Sequence, residues 1–191
     1  YTATLGELDC REQIARFEAH LFGVPRLGPE PIIVGLGSTQ LTHDLFRTLL
    51  DPGDTVMLLD PTYANYEGQL VHAVPGLRIV RLPVLDPGTW AYLPTADPAR
   101  AIADFHRLFA AHRPRLVLFG APDNPTSQVL PQPLAEAMLA RTRDAGAWLA
   151  IDFAYKCQYY QTPPAYYAWA PADHPPAASE GRAPPPAAQV V

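Results

Sequence analysis

Short runs of apolar residues alternate with segments of helical periodicity along most of this sequence. The runs cover residues 31–34, 55–59, 77–82, 115–119 and 148–151. Continuous apolar runs are typical of strands that are buried on both faces, and strands that alternate with helices pair in parallel. The sequence therefore predicts an α/β fold in which a mainly parallel sheet carries helices on both faces.

Apolar residues at helical spacing predict the helices that connect these strands. The predicted helices cover residues 7–22, 41–50, 64–74, 97–109 and 133–145. The stretch between residues 83 and 97 carries no such spacing, so it is predicted to be a loop.

Residues 1–170 are expected to form one domain, because a chain of this length can bury one core. The composition changes after that point, since proline and alanine fill 17 of the 30 positions from residue 162 onward. Such a segment offers little to bury and lacks many backbone N–H donors. Residues 171–191 are therefore predicted to form a Pro/Ala-rich irregular tail.

Charge and composition argue against several classes of protein. The net charge is −5 and the basic residues are scattered, so no nucleic-acid partner is expected. Neither a run of membrane-spanning length nor a signal peptide is recognisable, so a cytoplasmic protein is expected. Cys10 and Cys157 lie far apart and lack metal or redox spacing, so no metal site is predicted.

The segment Gly37-Ser38-Thr39-Gln40 lies between a predicted strand and a predicted helix. The first backbone amides of a helix lack intrahelical partners and carry the positive end of its dipole, so they bind phosphate. Ser38 and Thr39 can add hydroxyl donors. The alternative is that one of these hydroxyls only caps the helix.

Two further motifs follow predicted strands. Tyr63 comes after the run at residues 55–59, where its ring can lie over a flat ligand or pack under the loop. Asn124 comes after the run at residues 115–119 and precedes a proline, which favours extended geometry. Its amide can then donate to a phenolate-type oxygen, and an ordinary Asn-Pro turn is the alternative.

Asp152 follows the apolar run at residues 148–151, and Tyr155 comes three residues later. A partly buried carboxylate needs a cation or several donors to stay ionised, and a protonated pyridine nitrogen is such a cation. Tyr155 can reach the same ligand. The alternative is that Asp152 caps the turn that follows.

Together and in this order, the four motifs resemble the class I and II aminotransferases, which are fold-type I enzymes that use pyridoxal 5′-phosphate (PLP). The resemblance covers about residues 1–160 and implies an incomplete large domain of the aspartate aminotransferase-like superfamily. It implies PLP as the cofactor and an amino acid and a keto acid as substrates. It also implies a homodimer with the site at the subunit interface.

The resemblance assigns the phosphate of PLP to the first of these motifs. In the family, the positions of Ser38, Thr39 and Gln40 hold the phosphate. Tyr1 matches the family tyrosine that reaches the phosphate of the neighbouring subunit.

The other three motifs match the positions that hold the ring of PLP. The Tyr63 position stacks on the pyridine ring, and the Asp152 position pairs with its nitrogen. The Asn124 and Tyr155 positions hydrogen-bond the ring hydroxyl oxygen. The family motif Asn-Pro-Thr-Gly ends here in Ser127 instead of glycine.

The sequence contains one lysine, Lys156, and its position departs from the family pattern. The family carries its Schiff-base lysine after the strand that follows Asp-x-x-Tyr, where this sequence has proline, alanine and polar residues. Lys156 is adjacent to Tyr155, so on an extended segment it points to the opposite side, and it is interpreted as solvent-facing.

The chain is therefore expected to have no catalytic lysine and to be inactive as written. Two alternatives stay open. One is a PLP-dependent lyase or cyclase of the same fold, and the other is a non-catalytic fragment or pseudoenzyme.

Overall fold

In the part of the chain that the structure describes, the sheet consists of four parallel strands in the order β2-β1-β3-β4. The structure is a computed structural model that describes residues 3–24 and 27–170. The predicted tail at residues 171–191, and Tyr1, lie outside the described residues. The strands are β1 (Thr55–Asp60), β2 (Arg78–Pro83), β3 (Leu116–Gly120) and β4 (Trp148–Asp152).

Helices connect the strands and cover the sheet. Those described are α1 (Leu8–Phe22), α2 (Gly37–Leu49), α3 (Asn65–Ala73), α4 (Leu93–Ala96), α5 (Pro98–His112), α6 (Gln132–Asp144) and a 3₁₀-helix (Ala165–Ala168). The short helix α4 lies in the stretch predicted as a loop. In the described part of the chain, no helix has the length and apolar character needed to cross a membrane.

Side chains of each strand alternate between two apolar layers, as the pleat of a strand requires. On one face, Val56 and Leu58 of β1 pack with buried residues of α2 and α3. On the other face, Met57 and Leu59 pack with buried residues of α1, α5 and α6. The prediction of a parallel sheet with helices on both faces is therefore confirmed.

The strand register brings the carboxyl ends of β1, β3 and β4 to one edge of the sheet. Leu58 of β1 pairs with Leu118 of β3, and Gly120 at the end of β3 pairs with Asp152 at the end of β4. The chain leaves β1 toward α3 on one face and leaves β3 toward α6 on the other face. Neighbouring strands whose connections diverge leave a crevice between their ends, where α/β proteins bind ligands.

The strand predicted over residues 31–34 is wrong, because this segment has no strand structure. Among the described residues, its backbone makes one hydrogen bond to another segment, from the Val34 N–H to the Leu5 carbonyl, at 3.0 Å. Ile33 and Val34 are exposed. A run of four apolar residues does not determine a strand unless a neighbouring strand pairs with it.

Leu70 and Val71 are neighbours on α3, and substitutions at the two positions test how α3 packs on the sheet. Leu70 is fully buried and Val71 is 54% exposed. Leu70→Ala is expected to lower the free energy of unfolding by about 2–5 kcal/mol, because a cavity remains in the core. The control Val71→Ala should change it by less than about 0.5 kcal/mol. Denaturant unfolding of both variants measures this, and equal losses would contradict the packing described.

Candidate functional site

A cavity opens in the crevice at the carboxyl ends of β1, β3 and β4, beside the first turn of α2. It holds about 100 Å³ of enclosed space and opens to solvent at its mouth. Its lining residues come from four segments: Ser38, Tyr63, Tyr66, Gly120, Pro122, Asn124, Asp152, Ala154 and Tyr155.

Five of the seven residues predicted to bind the cofactor line this cavity. These five are Ser38, Tyr63, Asn124, Asp152 and Tyr155. Thr39 and Gln40 are not among the lining residues. Three strand ends and one helix terminus therefore contribute to a shared hollow, whereas the sequence predicted four strand ends.

The first turn of α2 reaches the cavity through Ser38. The helix begins at Gly37 after Leu36, and no side chain caps it from the N-cap position. The alternative in which Ser38 or Thr39 is the N-cap residue is therefore wrong. The side chain of Gln40 instead accepts a hydrogen bond from the Leu36 N–H at 2.6 Å. The amides of the first turn consequently lack a capping side chain, which is the arrangement that binds anions.

Asp152 is the last residue of β4; it lines the cavity and is buried, with 7% of the residue exposed. One carboxylate oxygen, Oδ2, accepts a hydrogen bond from the Tyr66 hydroxyl at 2.8 Å. The other, Oδ1, accepts one from the Ala154 N–H at 2.9 Å. Asp152 therefore stabilises the following turn, as the alternative proposed, and also faces the cavity.

Tyr66 is a site residue that the sequence reasoning missed. It lies on α3 with its ring edge-on to Tyr63, at 5.3 Å between centroids, and its hydroxyl reaches Asp152 across 86 positions of sequence. Burial, and then the neighbouring Asp152 carboxylate, raise the pKa of Tyr66 far above its usual range. The phenol therefore stays protonated and acts as a hydrogen-bond donor. Two tyrosines three positions apart gave no signal for this contact.

The other aromatic and amide side chains of the cavity are only partly buried. Tyr63 is half-buried, and its hydroxyl accepts a hydrogen bond from the Asn65 amide at 2.8 Å. Asn124 is also half-buried, and Tyr155 is 40% exposed. Rings and amides at this level of exposure can contact a bound molecule without first leaving a packed core.

Asp123 closes the loop that carries Asn124. Its Oδ2 accepts a hydrogen bond from the Thr126 hydroxyl at 2.9 Å, and its backbone pairs with Ser127 and Gln128. Burial raises the pKa of Asp123, and the hydrogen bonds from Thr126 and Asn124 oppose that shift. The sequence reasoning did not single out Asp123, because an acidic residue beside a turn is common.

Ser127 occupies the position where the family motif has glycine, and its φ is +56°. This left-handed conformation suits glycine, which has no Cβ to collide with the backbone. The departure at Ser127 therefore leaves the turn geometry in place at some cost in backbone strain.

Lys156 lies outside the cavity and is buried, with 4% of its surface exposed. Its ammonium group pairs with the carboxylate of Glu18 on α1. It also lies 4.2 Å from the centroid of the Phe22 ring and 4.5 Å from that of Phe153. The interpretation of Lys156 as solvent-facing is wrong, because α1 covers this side of the loop.

The family model for aminotransferase class I and II matches residues 1–179. The match spans most of the chain, so the chain belongs to this family, whose members use PLP. Aspartate aminotransferase from Pyrococcus horikoshii is 24% identical over 163 residues, which are 84% of this chain and 38% of that protein. Histidinol-phosphate aminotransferase 2 from Caulobacter vibrioides is 33% identical over 140 residues, 71% of this chain and 32% of that protein.

Solved structures agree on the fold. Aspartate aminotransferase from Thermus thermophilus with maleate superposes with a TM-score of 0.73 at 24% identity, over 88% of this chain and 41% of that one. Alanine aminotransferase from Pyrococcus furiosus gives a TM-score of 0.70 at 22% identity, over 86% of this chain and 39% of that one. The chain therefore spans about two fifths of the length of these relatives.

The hydrogen bond from Tyr66 to Asp152 can be tested by Tyr66→Phe. This change leaves one oxygen of a buried carboxylate without its donor, so the free energy of unfolding should fall by about 1.5–3 kcal/mol. Tyr160→Phe is the control, because Tyr160 is fully exposed. Denaturant unfolding at neutral pH compares the variants, and an unchanged Tyr66→Phe would contradict the hydrogen bond.

The difference in stability between the wild type and Tyr66→Phe is expected to depend on pH. The folded state raises the pKa of Tyr66 above its unfolded value, so its contribution to stability is complete below about pH 10. Above that pH the unfolded chain loses the phenol proton first, and the advantage of the wild type over Tyr66→Phe should shrink. Unfolding curves of both proteins at pH 8 and at a pH above about 10 measure this change.

Ser127→Gly should raise the free energy of unfolding by about 1 kcal/mol, because glycine accepts the left-handed backbone without strain. Ser127→Ala is the matched control, since it removes the hydroxyl and keeps the Cβ. It should bring no gain. Thermal unfolding of both variants measures the difference, and equal gains would show that the hydroxyl, not the backbone, is responsible.

Proposed function

We propose that this chain carries the cofactor-binding part of a PLP-dependent aminotransferase, and that residues 1–191 bind PLP non-covalently. The observation that carries the proposal is that Ser38, in the first turn of α2, and the buried Asp152 line the same cavity. PLP carries a phosphate and a heteroaromatic nitrogen, and a site for it needs an anion-binding helix start and a carboxylate in one cavity.

In this proposal each lining residue takes the part of the cofactor that its chemistry suits. The Asp152 carboxylate faces the pyridine nitrogen, where an opposite charge favours the protonated form. The ring of Tyr63 stacks on the pyridine ring, and Asn124 and Tyr155 donate to the ring oxygen. When bound, PLP supplies an electron sink for a carbanion at the substrate.

The phosphate is assigned to the first turn of α2. Ser38 contributes its hydroxyl and backbone amide, and Thr39 contributes through its backbone amide. Gln40 has a supporting role here, because its side chain is already engaged with the Leu36 N–H. Tyr66 is added as the donor that orients Asp152.

The reaction proposed for the protein is amino transfer between an amino acid and a keto acid. The curated relatives that carry aminotransferase names support this assignment. Lys156 is engaged by Glu18 outside the cavity, so we assign cofactor binding, and no covalent attachment of PLP, to these 191 residues.

A homodimer and a cytoplasmic location complete the proposal. Leu36 is 90% exposed and Ile33 is also exposed, and both precede Ser38 closely in sequence. Exposed apolar side chains near a site fit a subunit interface. Cys10 and Cys157 are free and exposed, which fits a reducing compartment.

Titration of the chain with PLP tests cofactor binding directly. Absorbance of PLP and equilibrium dialysis should give saturable binding at one site. Asp152→Asn should weaken binding about tenfold or more, because a hydrogen bond to a charged group contributes about 1.5–3 kcal/mol. After borohydride reduction, the peptide that contains Lys156 should carry no pyridoxyl mass.

Asp144→Asn is the matched control, since Asp144 is an exposed aspartate at the end of α6. It should bind PLP as the wild type does. Pyridoxal without its phosphate should bind more weakly than PLP if the first turn of α2 holds the phosphate. Equal affinity of Asp152→Asn and the wild type would show that the ion pair with the pyridine nitrogen is wrong.

A further inference from the structure

The single lysine of the sequence forms a buried ion pair that the proposed cofactor site does not use. Lys156 and Glu18 are 4% and 3% exposed, and 138 positions of sequence separate them. Burial lowers the pKa of Lys156, and the Glu18 carboxylate opposes that shift. Two buried charges are tolerated only while they stay paired, because the loss of one leaves the other without compensation.

This ion pair lies beside a second cavity that shares a wall with the first. The second cavity is lined by Phe17, Glu18, Phe22, Phe153, Ala154, Tyr155, Lys156, Cys157 and Gln158. Ala154 and Tyr155 line both cavities. The loop at residues 153–158 is therefore a partition, with the cofactor cavity on one side and the ion pair on the other.

The partition has few other anchors. Its backbone N–H groups donate three local hydrogen bonds, from Ala154 to the Asp152 side chain, from Lys156 to Phe153 and from Gln158 to Tyr155. The Phe153 ring packs against Tyr166 and is buried. The Lys156 side chain forms an ion pair between this loop and α1, and Lys156 is adjacent to Tyr155 in sequence.

The ion pair also lies on the buried face of α1. The buried residues of this helix are Ala15, Glu18 and Phe22, whereas Phe17 and Leu21 are about half exposed. Glu18 lies at the centre of the buried stripe and contributes its one charge. A shift of α1 would therefore separate Glu18 from Lys156 or pull the partition with it.

We propose that Glu18 and Lys156 are positioning residues, whose ion pair locks α1 onto the partition and so holds Tyr155 in place at the cofactor cavity. This inference rests on the proposed function, since Tyr155 is assigned there to the ring oxygen of PLP. It gives the single lysine a role in site geometry, separate from any covalent chemistry.

Three variants of the full chain test the proposal: Glu18→Gln, Lys156→Met and the double variant Glu18→Leu/Lys156→Met. Each should bind PLP at least about tenfold more weakly than the wild type, since small displacements of a positioning group have effects of this size. Glu12→Gln is the control, because it breaks the exposed ion pair of Glu12 with Arg16 on the same helix. Its PLP affinity should equal that of the wild type.

The double variant separates positioning from plain stability. It leaves no unpaired buried charge, so its unfolding midpoint should recover toward that of the wild type. Its PLP affinity should stay weak, because the apolar pair does not set the same register between α1 and the partition. Recovery of PLP affinity together with stability would overturn the proposal.

A double-mutant cycle with Tyr155→Phe locates the effect. If the ion pair acts through the Tyr155 hydroxyl, Lys156→Met should weaken PLP binding much less in the Tyr155→Phe background than in the wild type. Equal weakening in both backgrounds would also overturn the proposal.

Hydrogen exchange of the amides at residues 153–158 gives a readout that does not need PLP. Exchange should accelerate in all three ion-pair variants and stay unchanged in Glu12→Gln. If the wild type fails to bind PLP while this exchange pattern appears, the proposed cofactor is wrong and the lock on the partition stands. Unchanged exchange in the three variants would overturn the lock itself.

Discussion

The alignment of three parallel strand ends sets where the loops of this protein meet and where its cavity forms. Gly120 and Asp152 are paired across the sheet, so the loops after β3 and β4 start side by side. The connections after β1 and β3 then leave toward opposite faces of the sheet. Space remains between their first residues, and the polar side chains of three loops converge on it.

A buried carboxylate that lines such a space has to be held by donors. Asp152 receives one hydrogen bond from the turn that follows it and one from Tyr66 on α3. These bonds fix its direction and compensate its burial. On the far side of the same loop, Glu18 balances Lys156. Two buried charged side chains of opposite sign thus lie on the two sides of one short loop, each with its own partner.

Most of the sheet and its helices could be predicted from the sequence, because the apolar runs of β1, β3 and β4 and the helical spacing of α5 report burial directly. The run at residues 31–34 misled, since its apolar residues are exposed. Motif order predicted which residues to examine for a site, and five of them share a cavity. Tyr66 and Glu18 were not predicted as functional residues, because their partners are remote in sequence. Asp123 was not predicted either, because its hydrogen bonds are of a kind common in turns.

Residue types and their order predicted the family pattern: a parallel sheet, a serine–threonine helix start, and an aspartate and a tyrosine that follow the apolar run at residues 148–151. These features are local, so they are readable from residue type and spacing. Two features are visible only in the folded chain: Lys156 turns inward to Glu18, and Asp152 receives its hydroxyl donor from α3. Both depend on which distant helix packs over a strand end, and the burial of a charge is settled by that packing alone.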